Sequence, residues 1–182
     1  MKAVAIWNRD NYSKYSHSNE KITGYVLFTQ TKHDGVKVNI YIEGLTDGLH
    51  GIHIHEKSLS HIKDLETANI CELLGGHFNV GESWSLTEPN GTKHGEHTGD
   101  MCFNIDSKDN IVNYTYYDKK ISLDKNLDNC VINRSVVIHS EMDDQGKGLY
   151  ADEEKNSQTF ITGNAGERVA CAEIRLIKDP NF

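Results

Sequence analysis

The stretch LHGIHIHE, residues 49–56, places His50, His53 and His55 within six positions. Neutral imidazole binds both zinc and copper, so these residues could hold a metal ion. In a β-strand successive side chains leave opposite faces, so His53 and His55 would share one face while Ile54 turns into apolar packing. Two ring nitrogens could then converge on one point. The same pattern also suits the wet face of an antiparallel strand, where imidazole is an ordinary surface group. Taken alone, these eight residues leave both readings open.

The rest of the chain favours a metal. Of ten histidines, seven fall in four short motifs: GLHGIHIHE at 48–56, GGHFN at 75–79, HGEHTGD at 94–100 and VVIHSEMDDQG at 136–146. His17, His33 and His61 lie outside them. Histidines with carboxylates and without paired thiolates point away from iron–sulfur clusters and from Cys-type zinc sites.

These residues need a scaffold. Short runs rich in Val, Ile, Tyr and Thr recur at 2–7, 22–29, 36–42, 111–117, 135–139 and 169–177, with turn signals at HDG 33–35, TDG 46–48 and SKDN 107–110. This pattern predicts an all-β sandwich or barrel with Greek-key connections. Two long polar, Gly-rich stretches, 56–110 and 140–168, do not fit short hairpins and read as functional loops.

A chain of 182 residues fits a single domain over 1–182. The formal charge of −8 disfavours nucleic acid and anionic membranes as partners. The apolar run AVAIW near the N-terminus has five residues, too few for a signal-peptide core or a membrane span, so the sequence predicts a cytoplasmic protein. Cys71, Cys102, Cys130 and Cys171 form no CxxC pattern, and free thiols are the cytosolic default.

In order and in residue type, the histidine motifs resemble those of the copper/zinc superoxide dismutase family, as does TGNAGERVAC at 162–171. The resemblance implies an eight-stranded Greek-key β-barrel of immunoglobulin-like sandwich type. It also implies an oxidoreductase that converts superoxide anion to dioxygen and hydrogen peroxide with Cu and Zn as cofactors. Carried over residue by residue, His53, His55, His77 and His139 become copper ligands, while His77, His94, His97 and Asp100 become zinc ligands. His77 is then the bridge between the two ions, and His50 a scaffold residue. Arg168 matches the arginine that meets the substrate, and Asp143 the carboxylate that links a copper ligand to a zinc ligand. The alternative for Asp143 is an exposed turn acid, a reading that suits Asp144 better.

The resemblance also pairs Cys71 with Cys171 in a disulfide, places Cys130 near a homodimer contact as a free thiol, and offers no counterpart for Cys102. One departure stands out. His94 and His97 are separated by only Gly95 and Glu96, where the family has about eight residues, and GESWSLTEPNGTK at 81–93 lengthens the preceding segment. His94 is therefore assigned against two alternatives, a loop histidine at 94 or His61 as ligand. Lys147, Lys155 and Arg168 could attract superoxide locally, but Asp152, Glu153 and Glu154 share their loop.

Overall fold

Strict alternation in VKVNIYIE gives a strand whose Val36, Val38, Ile40 and Ile42 are all buried and whose intervening side chains are not. In the computed structural model, which describes residues 1–7, 16–18, 22–63, 69–148 and 150–177, this strand is β4 (Val36–Glu43). The others are β1 (Lys2–Trp7), β2 (Ser16–Ser18), β3 (Thr23–Gln30), β5 (Gly48–His55), β6 (Asn104–Ser107), β7 (Ile111–Asp118), β8 (Ser135–His139), β9 (Arg168–Glu173) and β10 (Arg175–Leu176). They form two five-stranded antiparallel sheets, ordered β10-β1-β3-β4-β7 and β2-β9-β8-β5-β6.

The sheets face each other across a shared core. Val26, Phe28, Val38 and Ile40 from the first meet Ile52, Ile54, Val136, Ile138 and Ala170 from the second. Each of the Val, Ile and Phe side chains, removed from water, stabilises the fold by about 1.5–3 kcal/mol before the entropy of ordering is counted. The connections cross between sheets in Greek-key fashion: β5 and β6 lie in the second sheet, and β7 returns to pair with β4.

The all-β expectation holds, with eight strands of four or more residues and two short additions, β2 and β10, among the described residues. The run at 169–177 is not one strand. Backbone pairing breaks at Ile174, which is fully buried, and the chain passes from the second sheet into the first. Strands that switch sheets in this way make the corners of sandwiches. The 140–168 loop contains a helix, α1 (Glu153–Thr162), capped by the Asp152 side chain, which accepts from the Lys155 N–H, and ended by Gly163 in the left-handed conformation.

Candidate metal centre

Strand β5 does not alternate in burial. From His50 to His55 every side chain is buried, because Ile52 and Ile54 enter the sandwich core while His53 and His55 lie beneath the long loops. At 0% and 1% exposure, these two histidines are not on a wet face. Backbone bonds stitch the loops to the strand: Ile54 N–H donates to Gly99 O at 2.8 Å and Phe78 N–H to Ile54 O at 2.7 Å. His77 thus pairs beside His55, and the HTGD segment is drawn to the same edge. His139 ends β8, where a register shift after Ile138 precedes its pairing with Arg168.

Among the described residues three groups of donor atoms each lie within 4.8 Å; two share His77, and the third, His53, His94 and Asp143, links those two. Of the two that share it, one gathers His53, His55, His77 and His139; the other His77, His94, His97 and Asp100. Each imidazole has one nitrogen engaged by the protein. His55 Nδ1 donates to Gly75 O at 2.9 Å, His139 Nδ1 to Gly166 O at 3.2 Å and His97 Nε2 to Thr92 O at 2.9 Å. The opposite nitrogens, His53 Nδ1, His55 Nε2, His77 Nε2, His139 Nε2, His94 Nδ1 and His97 Nδ1, are buried without a well-aligned hydrogen bond, the last two facing Asp100 Oδ1 at 3.0 and 3.3 Å. Leaving one such atom unsatisfied costs about 1–3 kcal/mol. Six together, aimed into two small spaces, fit a pair of metal ions with nitrogen-rich shells and fit little else.

Asp143 is 1% exposed, not a turn acid at the surface. Its carboxylate accepts from His53 Nε2 at 2.6 Å and from His94 Nε2 at 2.8 Å, one from each group. Asn104 holds it there through a reciprocal pair, with Asp143 N–H donating to Asn104 Oδ1 at 2.8 Å and Asn104 Nδ2 to Asp143 O at 2.9 Å. Such contacts fix ring tautomer and orientation. His50 has both nitrogens in use, Nδ1 at 2.9 Å from His139 O and Nε2 against Thr46, as a scaffold residue should. His61 is exposed in a 3-10 turn, Leu59–His61, and belongs to neither donor group.

Burial pushes His53 and His55 far below the ordinary imidazole range, and the neighbouring imidazoles add to the effect. Burial lowers His77 and takes His139 down to about 3. His94 moves the other way: burial opposes protonation, but the carboxylates of Asp100 and Asp143 outweigh it and raise the group to about 9. Burial also opposes ionisation of Asp100, yet the His77, His94 and His97 rings hold its carboxyl well below the usual range. In the metal-free protein the first group of rings is therefore neutral and ready to bind, while His94 in the second carries a proton that an ion must displace.

Arg168 projects from β9 with 16% of its side chain exposed. Its Nη1 donates to Cys71 O at 2.9 Å and its Nη2 to Gly75 O at 2.8 Å, the carbonyl that also receives His55. Cys71 is joined to Cys171 by a disulfide, which ties the 3-10 turn Ile70–Leu74 to β9. The guanidinium is therefore held rigidly beside the first histidine group.

The sequence matches the family model for copper/zinc superoxide dismutase over residues 22–174. The chain belongs to that family. It is 34% identical over 174 residues to the extracellular superoxide dismutase [Cu-Zn] of Brugia pahangi, covering 96% of this chain and 75% of the relative. It is 35% identical over 160 residues to the extracellular enzyme of Drosophila melanogaster, covering 87% and 78%. Among solved structures, a crystal structure of the clock protein EA4 superposes with a TM-score of 0.69 at 31% identity, over 97% of this chain and 94% of that one. The dismutase is an oxidoreductase acting on superoxide with copper and zinc.

One expectation is overturned. The relatives from Brugia pahangi and Drosophila melanogaster are named extracellular, and the Cys71–Cys171 bond is formed, so the cytoplasmic assignment does not stand. Disulfides persist where the surroundings are oxidising, and a short apolar run at residues 3–7 carries less weight than that.

Cys102 and Cys130 are free. Burial pushes the Cys102 thiol up to about 12, which keeps it protonated and unreactive. Of the two lysines considered for attraction, Lys147 donates to Gln145 Oε1 at 3.0 Å, and Lys155 lines a cleft with Glu141, Asp152 and Glu154. The carbonyls of Gly75, Thr92 and Gly166 and the side chain of Asn104 had no signal in the sequence, since a carbonyl's direction follows from backbone geometry alone.

Proposed function

We propose that the chain, acting as one domain over 1–182, dismutes superoxide at a site in which His53, His55, His77 and His139 hold copper while His77, His94, His97 and Asp100 hold zinc. The observation that carries this reading is the convergence of six buried ring nitrogens without a well-aligned hydrogen bond, two of them facing Asp100, into two groups that share His77. Bound copper supplies a one-electron couple, and zinc, without redox chemistry of its own, supplies a fixed positive charge.

The protein's own groups do the rest. Arg168, held by the carbonyls of Cys71, Glu72 and Gly75 and with the exposed Glu72 carboxylate 3.7 Å from its Nε, offers its charge and remaining N–H groups to a small anion. His77 presents Nε2 to the first group and Nδ1 to the Asp100 side, so a proton can be taken up and released at Nε2 while Nδ1 keeps the ring in place. Asp143 keeps His53 and His94 in fixed tautomers. Two superoxide anions and two protons give one dioxygen and one hydrogen peroxide, and the Nε2 proton is one of the two.

Stopped-flow superoxide decay with the copper- and zinc-loaded protein tests the reading. Wild type is expected to consume superoxide, and Arg168→Ala to do so about 10- to 100-fold more slowly with both metals still bound, as expected when a positioned charge is lost. Unchanged turnover in a fully metallated Arg168→Ala protein would remove Arg168 from the reaction. Assembly as a homodimer belongs to the same proposal. Its support is the resemblance of the segment around Cys130 to the family's dimer contact. Sedimentation at micromolar concentration reads it directly.

A further inference from the structure

The insertion at 81–93 supplies no metal donor, and of its groups only the Thr92 carbonyl has entered the site above. Its two arms fold back on each other: Ser83 pairs with Thr92, Trp84 N–H donates to Thr92 O at 2.7 Å and Thr92 N–H to Glu82 O at 2.8 Å. A Cβ on Gly91 would sit 2.4 Å from the Ser83 carbonyl, so the arms can meet this closely only with glycine there.

Several contacts run from this loop to the metal centre and to α1. Thr92 O also accepts from His97 Nε2, which leaves His97 Nδ1 near Asp100. His94 N–H donates to Phe160 O at 2.8 Å, in the last turns of α1. The Trp84 ring stands edge-on to Phe160 with centroids 5.5 Å apart. Lys93 Nζ lies 4.1 Å from the Phe160 centroid and 5.8 Å from that of Trp84. Where α1 ends, a Cβ on Gly163 would meet Asp143 Oδ1 and His94 Nε2. Insertion, helix end and metal loop therefore meet within one small region.

We infer that the insertion is a clasp: Trp84 and Lys93 grip Phe160 of α1 and, through Thr92 O and the backbone of His94, position His94 and His97 for the second ion. This rests on the assignment of those histidines to zinc. Two histidines three residues apart in a loop lose conformational freedom when they bind, and a loop ordered beforehand loses less. Coupling of this kind is reciprocal, so an ion at His94 and His97 also holds α1, in the loop that leads to Arg168. Trp84, Lys93 and Phe160 are positioning residues, since none of them is a donor to the ion.

The test uses the full chain with copper bound. Zinc affinity is measured by competition with a chromophoric chelator, and hydrogen exchange is followed at the α1 amides. Trp84→Ala is expected to weaken zinc by up to about tenfold, the worth of one aromatic pair and one cation–ring contact, and to speed exchange in α1. Trp84→Phe restores most of both, Lys93→Arg outperforms Lys93→Gln, and the visible bands of cobalt in the second site shift in Trp84→Ala but not in Trp84→Phe. Copper affinity and the stability of the β-sheet core stay as in wild type.

Unchanged zinc affinity and exchange in Trp84→Ala would overturn the clasp. So would equal losses of zinc, copper and overall stability, which mark a merely structural contact. A His97→Ala protein that holds zinc as tightly as wild type would instead overturn the ligand assignment, and the clasp with it.

Discussion

Asp143 is the residue on which both halves of the centre depend, because one buried carboxylate receives His53 from the first donor group and His94 from the second. Replacing it by Asn keeps the shape but puts an amide donor opposite at least one ring N–H. That ring then turns or changes tautomer, and its other nitrogen no longer points at the ion. Changes in groups that orient metal ligands commonly cost about 10- to 100-fold in affinity. Asp143→Asn is therefore expected to weaken zinc by that order, measured by chelator competition. Zinc should suffer more than copper, because His94 is one of three histidines in its group whereas His53 is one of four. Equal retention of both metals would show that Asp143 does not orient the rings.

At the scale of elements, the parts visible in the sequence are those where side-chain period and packing agree. Strand β4 alternates cleanly, and β5 places Ile52 and Ile54 in the core with His53 and His55 opposite, as period two requires. The motif histidines outside β5 follow because each sits at a strand end or close to a turn glycine. Helix α1 was not visible, for a physical reason: its buried residue is Thr159, and no apolar stripe marks its face. Polar bonds hold it instead. The Asp144 carboxylate, read from the sequence as a turn acid, accepts from Thr159 Oγ1 at 2.7 Å, Asn164 Nδ2 at 2.8 Å and Tyr150 OH at 3.1 Å. The break at Ile174 was equally hidden, since a residue that changes sheets stays apolar throughout. Asp144→Ala is expected to lower the local opening free energy of α1 by about 1–3 kcal/mol. Native-state hydrogen exchange checks this, with faster exchange at residues 156–162 and unchanged protection in β4. Equal protection of α1 in the variant would mean that the hub does not hold the helix.

At the scale of the whole molecule, the buried centre makes the metal-free protein sensitive to pH in a definite direction. His53, His55, His77 and His139 all titrate below their unfolded value of 6.5. The unfolded chain therefore binds protons that the folded chain refuses, and the stability these rings contribute is full above pH 6.5 and lost as the pH falls below it. Asp100, held below its unfolded value of 3.8, adds to the same acid limb at lower pH. His94, raised to about 9, acts oppositely: its contribution is full below pH 6.5 and lost as the pH rises toward 9. Each group changes stability by about 1.4 kcal/mol per pH unit while its proton difference is complete. With four rings on the acid side and one on the alkaline side, stability should peak near neutrality and fall more steeply toward acid. Metal loading occupies the same ring nitrogens, so the loaded protein should hold its stability to lower pH. Urea midpoints measured across about pH 4 to 9, with the Cys71–Cys171 bond intact in both forms, separate the curves. An alkaline limb equally steep with and without metals would mean that no ion displaces the His94 proton.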